Sequence, residues 1–208
     1  MKARWLIGVA CAVGIGVVVA GLSLTHGAAK TASRLQRPLH LPIMSPGDKC
    51  PVSIARSADT LASEFGADPA AGPGPIYPIL FPGHRNAGNM SVLAVAPSTR
   101  QGVAAAPGPP QWVKPGWFVE KVLWIASPRY NGPILIRGGR IDKAGALLLQ
   151  WDPTTPAHLT LRLRVTPSAS GWWSTATSTY VHAPGCYAYQ VDGKSFSTVI
   201  VFRAVRLS

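Results

Sequence analysis

Cys186-Tyr-Ala-Tyr-Gln-Val191, Asp192-Gly193-Lys194-Ser195 and Phe196-Ser-Thr-Val-Ile-Val-Phe202 form the stretch that decides the fold class. Two runs rich in aromatic and β-branched residues flank a short phrase containing Asp-Gly, which is the signature of a β-hairpin. Upstream, His158-Leu-Thr-Leu-Arg-Leu-Arg-Val165 alternates with period two. Leu159, Leu161, Leu163 and Val165 fall on one side, Thr160, Arg162 and Arg164 on the other. A strand turns successive side chains to opposite faces, so this spacing predicts one face on a core and one in water.

Working outward, Ile76–Phe81, Met90–Val95, Phe118–Ile125, Pro133–Arg137, Ala146–Trp151 and Thr175–Val181 read as further strands. Ser127-Pro128 ends one of them, and Arg137-Gly-Gly-Arg140 reads as a turn. Arg203 breaks the pattern of the last strand. Alternation puts it with Val199, Val201 and Val205, which predicts either a bulge or a partly buried, paired arginine. Seven to nine short strands at regular spacing make an all-β sandwich the expected fold class. Composition agrees: 20 prolines and 21 glycines among 208 residues leave few uninterrupted runs of helix formers. A hydrophobic fraction of 47% is enough for a core, which argues against wholesale disorder.

The chain starts with a basic Met1-Lys-Ala-Arg4, followed by an uncharged apolar stretch from Trp5 to Leu24. As a helix rising ~1.5 Å per residue, that stretch matches the ~30 Å hydrocarbon thickness of a bilayer. Residues 1–24 are therefore expected to be a signal peptide or membrane anchor, with the remainder outside the cytoplasm. The length favours a retained anchor, while Gly27-Ala28-Ala29 offers a site for cleavage and secretion. Gly8-Val9-Ala10-Cys11 resembles a lipidation phrase, but too little apolar sequence precedes Cys11, which reads as a small residue of the apolar segment. Residues 25–49, with Lys30, Arg34 and Arg37, read as a flexible basic tether, and 50–208 as the extracytoplasmic β domain.

Gly185-Cys186-Tyr187-Ala188-Tyr189-Gln190-Val191 resembles the penultimate strand of immunoglobulin-like domains. The resemblance implies that Tyr187 hydrogen-bonds the backbone at a corner and that Trp124 is the core tryptophan. The chain departs from the antibody pattern in that Cys186 precedes the tyrosine, so the usual inter-sheet disulfide is not implied. From Cys50-Pro-Val onward the chain is also similar to a group of secreted or lipid-anchored bacterial proteins of the actinobacterial type. Lys121-Val-Leu-Trp124, Ser127-Pro-Arg-Tyr130, Gly132-Pro-Ile-Leu-Ile-Arg-Gly138 and Pro184-Gly-Cys-Tyr187 carry that similarity. It implies export and a β fold, and no particular activity.

Cys50 and Cys186 are the two cysteines beyond the leader, and in an oxidising compartment such a pair reads as a disulfide. The five histidines show no metal-ligand spacing, and no Gly-x-Ser-x-Gly phrase occurs, so neither a metal, a cofactor nor an enzyme activity is expected. Glu120 and Asp142 are the pair to inspect as acid and base, and a secreted hydrolase with a dispersed active site is the alternative reading. The net charge is +12, of which +10 remains after Leu24 from 18 basic and 8 acidic residues. That balance favours an anionic envelope polymer, lipid headgroups or a membrane protein as partner, while the compartment argues against nucleic acid.

Trp112, Trp117, Trp172 and Trp173 sit beside Gly, Pro or one another where strands begin and end. With Arg162 and Arg164 they form the candidate binding surface, and the neighbours Trp172 and Trp173 must point to opposite faces. Arg129, Arg137, Arg140, Arg203 and Arg206 extend the basic character. The functional expectation is a non-enzymatic β-sandwich module binding an envelope component or partner protein. An accessory subunit of a membrane assembly is a further alternative.

Overall fold

A computed structural model describes residues 35–53, 71–80, 92–97, 116–152, 154–169 and 171–206. The leader, the cleavage phrase and Trp112 lie outside them. Nine strands form among the described residues: β1 (Ile76–Leu80), β2 (Val92–Pro97), β3 (Phe118–Ala126), β4 (Gly132–Arg140), β5 (Leu147–Gln150), β6 (Thr160–Val165), β7 (Trp173–Val181), β8 (Gly185–Asp192) and β9 (Ser197–Arg206). They build two antiparallel layers of four, β1-β3-β7-β5 and β9-β8-β4-β6, an all-β arrangement of sandwich type. β2 joins the layers. Its last two residues pair antiparallel with Phe118 and Val119 of β3, and Val92–Val95 run parallel to β9.

The core lies between the layers because one face of each strand is apolar. Val122, Trp124 and Ala126 of β3 meet Ile134 and Ile136 of β4, Tyr187, Tyr189 and Val191 of β8, and Ile200 and Phe202 of β9. Trp124 is fully buried and stands edge-on to Tyr189 of the opposite layer, with ring centroids 5.1 Å apart. Its indole N–H donates to Thr177 Oγ1 at 3.0 Å, and Thr179 Oγ1 shares a 2.9 Å hydrogen bond with the Tyr189 hydroxyl. The threonines that β7 turns inward are thus satisfied by aromatic partners, which a buried polar group requires. Within β6 the alternation holds, with Leu163 and Val165 buried, Leu161 half-buried and Thr160, Arg162 and Arg164 exposed. Leu159, expected on the core face, lies just before the strand and is exposed.

The Tyr187 hydroxyl donates to the Ala183 carbonyl at 2.8 Å, closing the corner that leads into β8. Its ring stacks on Phe202 and lies 5.6 Å beneath the Arg140 guanidinium. Burial raises the phenol pKa more than Arg140 and the Ala183 contact alter it. Tyr187→Phe keeps the ring and loses the corner bond. It is expected to destabilise by about 1 kcal/mol, read from a urea midpoint. An unchanged midpoint would show that water replaces the hydroxyl at Ala183.

Two local readings are corrected. Arg137-Gly-Gly-Arg140 is the end of β4 and not a turn. Gly138 serves close packing, since a Cβ there would come within 2.5 Å of the Ala188 carbonyl of the neighbouring strand, whereas one on Gly139 would meet nothing closer than 3.4 Å. Arg203 is neither bulged nor paired inward. It stays in register opposite Cys186 with its side chain exposed. Its strand-mates Val199 and Val201 pack against other side chains on the outer face of their layer.

The covering comes from a segment expected to be free. Among residues 25–49, Leu35–Lys49 does not behave as a tether but straps the outer face of β8 and its neighbours. Leu35 is buried, and Leu41 and Met44 pack on Ile141, Cys186, Ala188 and Val201. Met44 N donates to Ile141 O at 3.2 Å, and Ser53 N donates to Val201 O at 2.9 Å. Cys50 closes the strap onto β8 through a disulfide to Cys186, with Cα atoms 5.5 Å apart.

Candidate functional site

Three loops meet at one end of the sandwich: residues 127–131 between β3 and β4, 166–172 between β6 and β7, and 193–196 in the β8–β9 hairpin. Tyr130 ties the first and last of them together. Its hydroxyl donates to Pro133 O at 2.6 Å and accepts from Lys194 N at 3.3 Å, while its ring stands edge-on to Phe196. The Lys194 arm runs along Gly132, where a Cβ would meet its Cε at 2.6 Å, and its ammonium reaches Asn131 O at 3.4 Å. Gly171, at φ +88°, backs onto Pro128 and lets the 166–172 loop touch the 127–131 loop. Ser168 closes that loop, with N and Oγ both donating to Trp172 O.

Trp172 and Trp173 diverge. Trp173 pairs with Ala126 and packs against the interlayer core, whereas Trp172 packs with Tyr77, Ile79, Leu123 and Ile125 on the outer face of the first layer. Each is half-buried. Arg164 and Arg162, both exposed, stand opposite Pro133 and Leu135, so Arg164 adjoins the 127–131 loop. Trp117 is not part of this end. It stacks on His182 with centroids 3.7 Å apart, beyond the other end of β3. Nine strand residues separate it from Trp172 and Trp173 by roughly 27 Å. Trp172, Trp173 and Arg164 therefore lie at the same end of the sandwich but on different faces, with Trp172 on the outer face of one layer, Trp173 toward the core and Arg164 on the other layer. Arg162 is further along β6, and Trp117 is at the opposite end.

Sequence reasoning missed the charge arrangement beside the hairpin. Asp192, fully buried, accepts from Arg137 Nη2 at 2.6 Å and lies 3.8 Å from Arg37 Nη1. Gln190 Nε2 also donates to both Asp192 oxygens and to Pro38 O, while its Oε1 accepts from His40 N at 2.7 Å. Arg37 Nη1 caps the hairpin carbonyls of Gly193 and Phe196 at 2.8 and 2.9 Å, and Arg137 Nη2 grips Arg37 O at 2.5 Å. Two guanidiniums thus share one carboxylate inside the strap. The three loops themselves carry Arg129 and Lys194, both exposed, and no acidic residue. The sequence signal for this clasp is Gln190 and Asp192, two polar residues at period-two spacing in an otherwise apolar and aromatic strand.

Other expected sites resolve locally. Glu120 Oε1 accepts from Lys121 N at 2.8 Å. β1 pairs with β3 only from Val122 onward and β2 only at Phe118 and Val119, so this amide falls in the gap between them. Burial raises the Glu120 pKa against the lowering effect of Lys121. Asp142 is held bidentately by Arg140 at 2.5 and 3.1 Å, and that hydrogen bonding lowers its pKa. Arg137 and Arg140 are consequently withdrawn from the exposed basic surface. At the end bearing Asp142, two grooves of about 480 and 540 Å³ share Met44 and Asp142, the second reaching Cys50 and Arg203. Among the described residues no three His, Cys, Asp or Glu side chains converge to hold a metal ion. No family model matches the chain, and comparison with curated proteins and with solved structures finds no match for it.

Proposed function

We propose that this protein is an exported binding module that holds an anionic component of the cell envelope at the hairpin end of an immunoglobulin-like sandwich. One observation carries the reading. Arg129 and Lys194, on loops without a carboxylate, and Arg164, near the end of β6, are exposed at the same end of the sandwich as half-buried Trp172 and Trp173, while the adjacent Asp192 is buried and paired. Cations at such an end attract polyanions, and flanking aromatics add stacking or interfacial contact. The immunoglobulin-like assignment is supported by the layer order, by β2 running parallel to the last strand and by the Tyr187 corner bond. The chain departs from that pattern by visiting β7's edge with β5 before returning to β4's edge with β6. Export is supported by the basic-apolar leader and by the Cys50–Cys186 disulfide, which suits an oxidising compartment.

The test is co-sedimentation of the fragment Leu35–Ser208 with isolated wall and membrane fractions over a salt series. The fragment begins at Leu35 because the strap is part of the folded domain. Pelleting is expected at low salt and should weaken at least tenfold in Arg129→Ala/Arg164→Ala/Lys194→Ala, at about 1 kcal/mol per cation near an anionic surface. Failure to pellet with either fraction would sink the proposal and turn the search to a protein partner or a hydrolytic reaction.

A further inference from the structure

We infer that the anionic component is the lipid headgroup surface of the protein's own membrane, and that the sandwich sits on it hairpin end down. The inference rests on the function proposed above and adds to it an orientation and one ligand class. Its first support is where the chain enters the fold. Arg37 binds Gly193 and Phe196 carbonyls, so Leu35, two residues earlier and buried, lies at the hairpin end. Ten residues, Thr25 to Arg34, separate it from the apolar sequence ending at Leu24. Fully extended they reach at most about 36 Å. With residues 5–24 as anchor, the hairpin end is the end from which the chain runs to the bilayer, and the opposite end lies a further β3 length away, roughly 27 Å.

The second support is chemical. Arg129, Arg164 and Lys194 are exposed at this end, and Lys30 and Arg34 lie in the connecting sequence. Trp172 and Trp173 are half-buried there, and indole rings favour the headgroup level, where one edge is apolar and the other wet. The opposite end is of mixed charge: Lys143 and Arg203 are exposed there and Trp117 is half-buried, but Asp142 neutralises Arg140 and Asp48 adds an exposed carboxylate. Each cation held near an anionic leaflet strengthens attachment roughly fivefold, so three of them bias the orientation strongly even though ten connecting residues are long enough for either end to reach the bilayer.

The experiment uses the full chain reconstituted in vesicles of phosphatidylcholine alone or with about a third phosphatidylglycerol. An amine-reactive reagent then labels lysines, read residue by residue by mass spectrometry. Lys194 marks the hairpin end and Lys143, exposed in the β4–β5 loop, the opposite one. On anionic vesicles Lys194 labelling is expected to fall at least about fivefold relative to phosphatidylcholine, with Lys143 unchanged. Arg129→Ala/Arg164→Ala, two exposed positions, should restore Lys194 labelling while leaving the unfolding midpoint in place. Equal Lys194 labelling on both vesicles, protection of Lys143 instead, or failure to float with either vesicle each overturns the inference. If the Leu35–Ser208 fragment nevertheless pellets with wall polymer, the envelope-binding function survives with a different anion. If it pellets with nothing, both readings fall together.

Discussion

Cys50→Ser is expected to remove about 4–5 kcal/mol of unfolding free energy. The Cys50–Cys186 bond closes a loop of sequence separation 136, and the chain-entropy argument gives long loops the larger effect. For a domain of this size the melting temperature should drop by roughly 10–20 °C. Reductant added to the native chain should reproduce the shift and should add nothing to Cys50→Ser. The bond joins the strap to β8, so the loss should also be uneven in space. The Met44 amide, bonded to Ile141 O, lies in the strap, whereas Val122 lies in the interlayer core. Hydrogen exchange at Met44 should therefore accelerate well before exchange at Val122. A shift of under a degree, or uniform acceleration, would mean that the strap is held by its packing and ion pairs without help from the cross-link.

The strap also marks the limit of what the sequence reveals. β6 was legible because one face of it meets the core and the other meets water, so Leu163 and Val165 against Arg162 and Arg164 carry a period. The hairpin was legible because Asp192-Gly193 punctuates two strands rich in aromatic and β-branched residues. Leu35, Arg37, Leu41 and Met44 carry no period of either kind, because an irregular strap is fixed by what it lies on. Missing it distorted the reading of its neighbours. Val199 and Val201 looked like core, and Arg203 beside them looked anomalous, when that face is an outer one with Leu41, Met44 and Cys50 packed over part of it. Arg137-Gly-Gly-Arg140 failed for a similar reason. Glycine pairs signal turns on average, and only the approach of Ala188 O explains why β4 needs a residue without Cβ at Gly138. Of the end proposed to bind, the sequence singled out Trp172, Trp173 and Arg164 but not the joining of the loops that carry Arg129 and Lys194, which depends on Tyr130.

Asp192→Ala should be the most damaging single charge substitution, costing about 3–5 kcal/mol in a urea titration, because it leaves a buried guanidinium without its counter-ion. The Arg137 side chain is 16% exposed and Asp192 is not exposed at all, whereas Arg37 is 30% exposed. Arg137 Nε is already buried without a protein partner, so this cation has little other protein contact to fall back on. Arg37→Ala should cost less through charge, under about 1 kcal/mol, with an added loss from the Gly193 and Phe196 carbonyls it caps. Removing both members of the inner pair, Arg137→Met with Asp192→Leu, should recover most of the stability lost in Asp192→Ala. A coupling above about 2 kcal/mol in that cycle would establish the pair as a unit. A cost below about 1 kcal/mol for Asp192→Ala would instead mean that water reaches Arg137 from the strap side. The same variant separates stability from binding. It deletes the buried carboxylate beside the hairpin end and leaves Arg129, Arg164 and Lys194 in place. Below its unfolding transition it should hold an anionic surface at least as tightly as the native chain. Weaker binding by a still-folded Asp192→Ala would show that the clasp, by fixing Arg37 on the hairpin carbonyls, shapes the binding end as well as securing the strap.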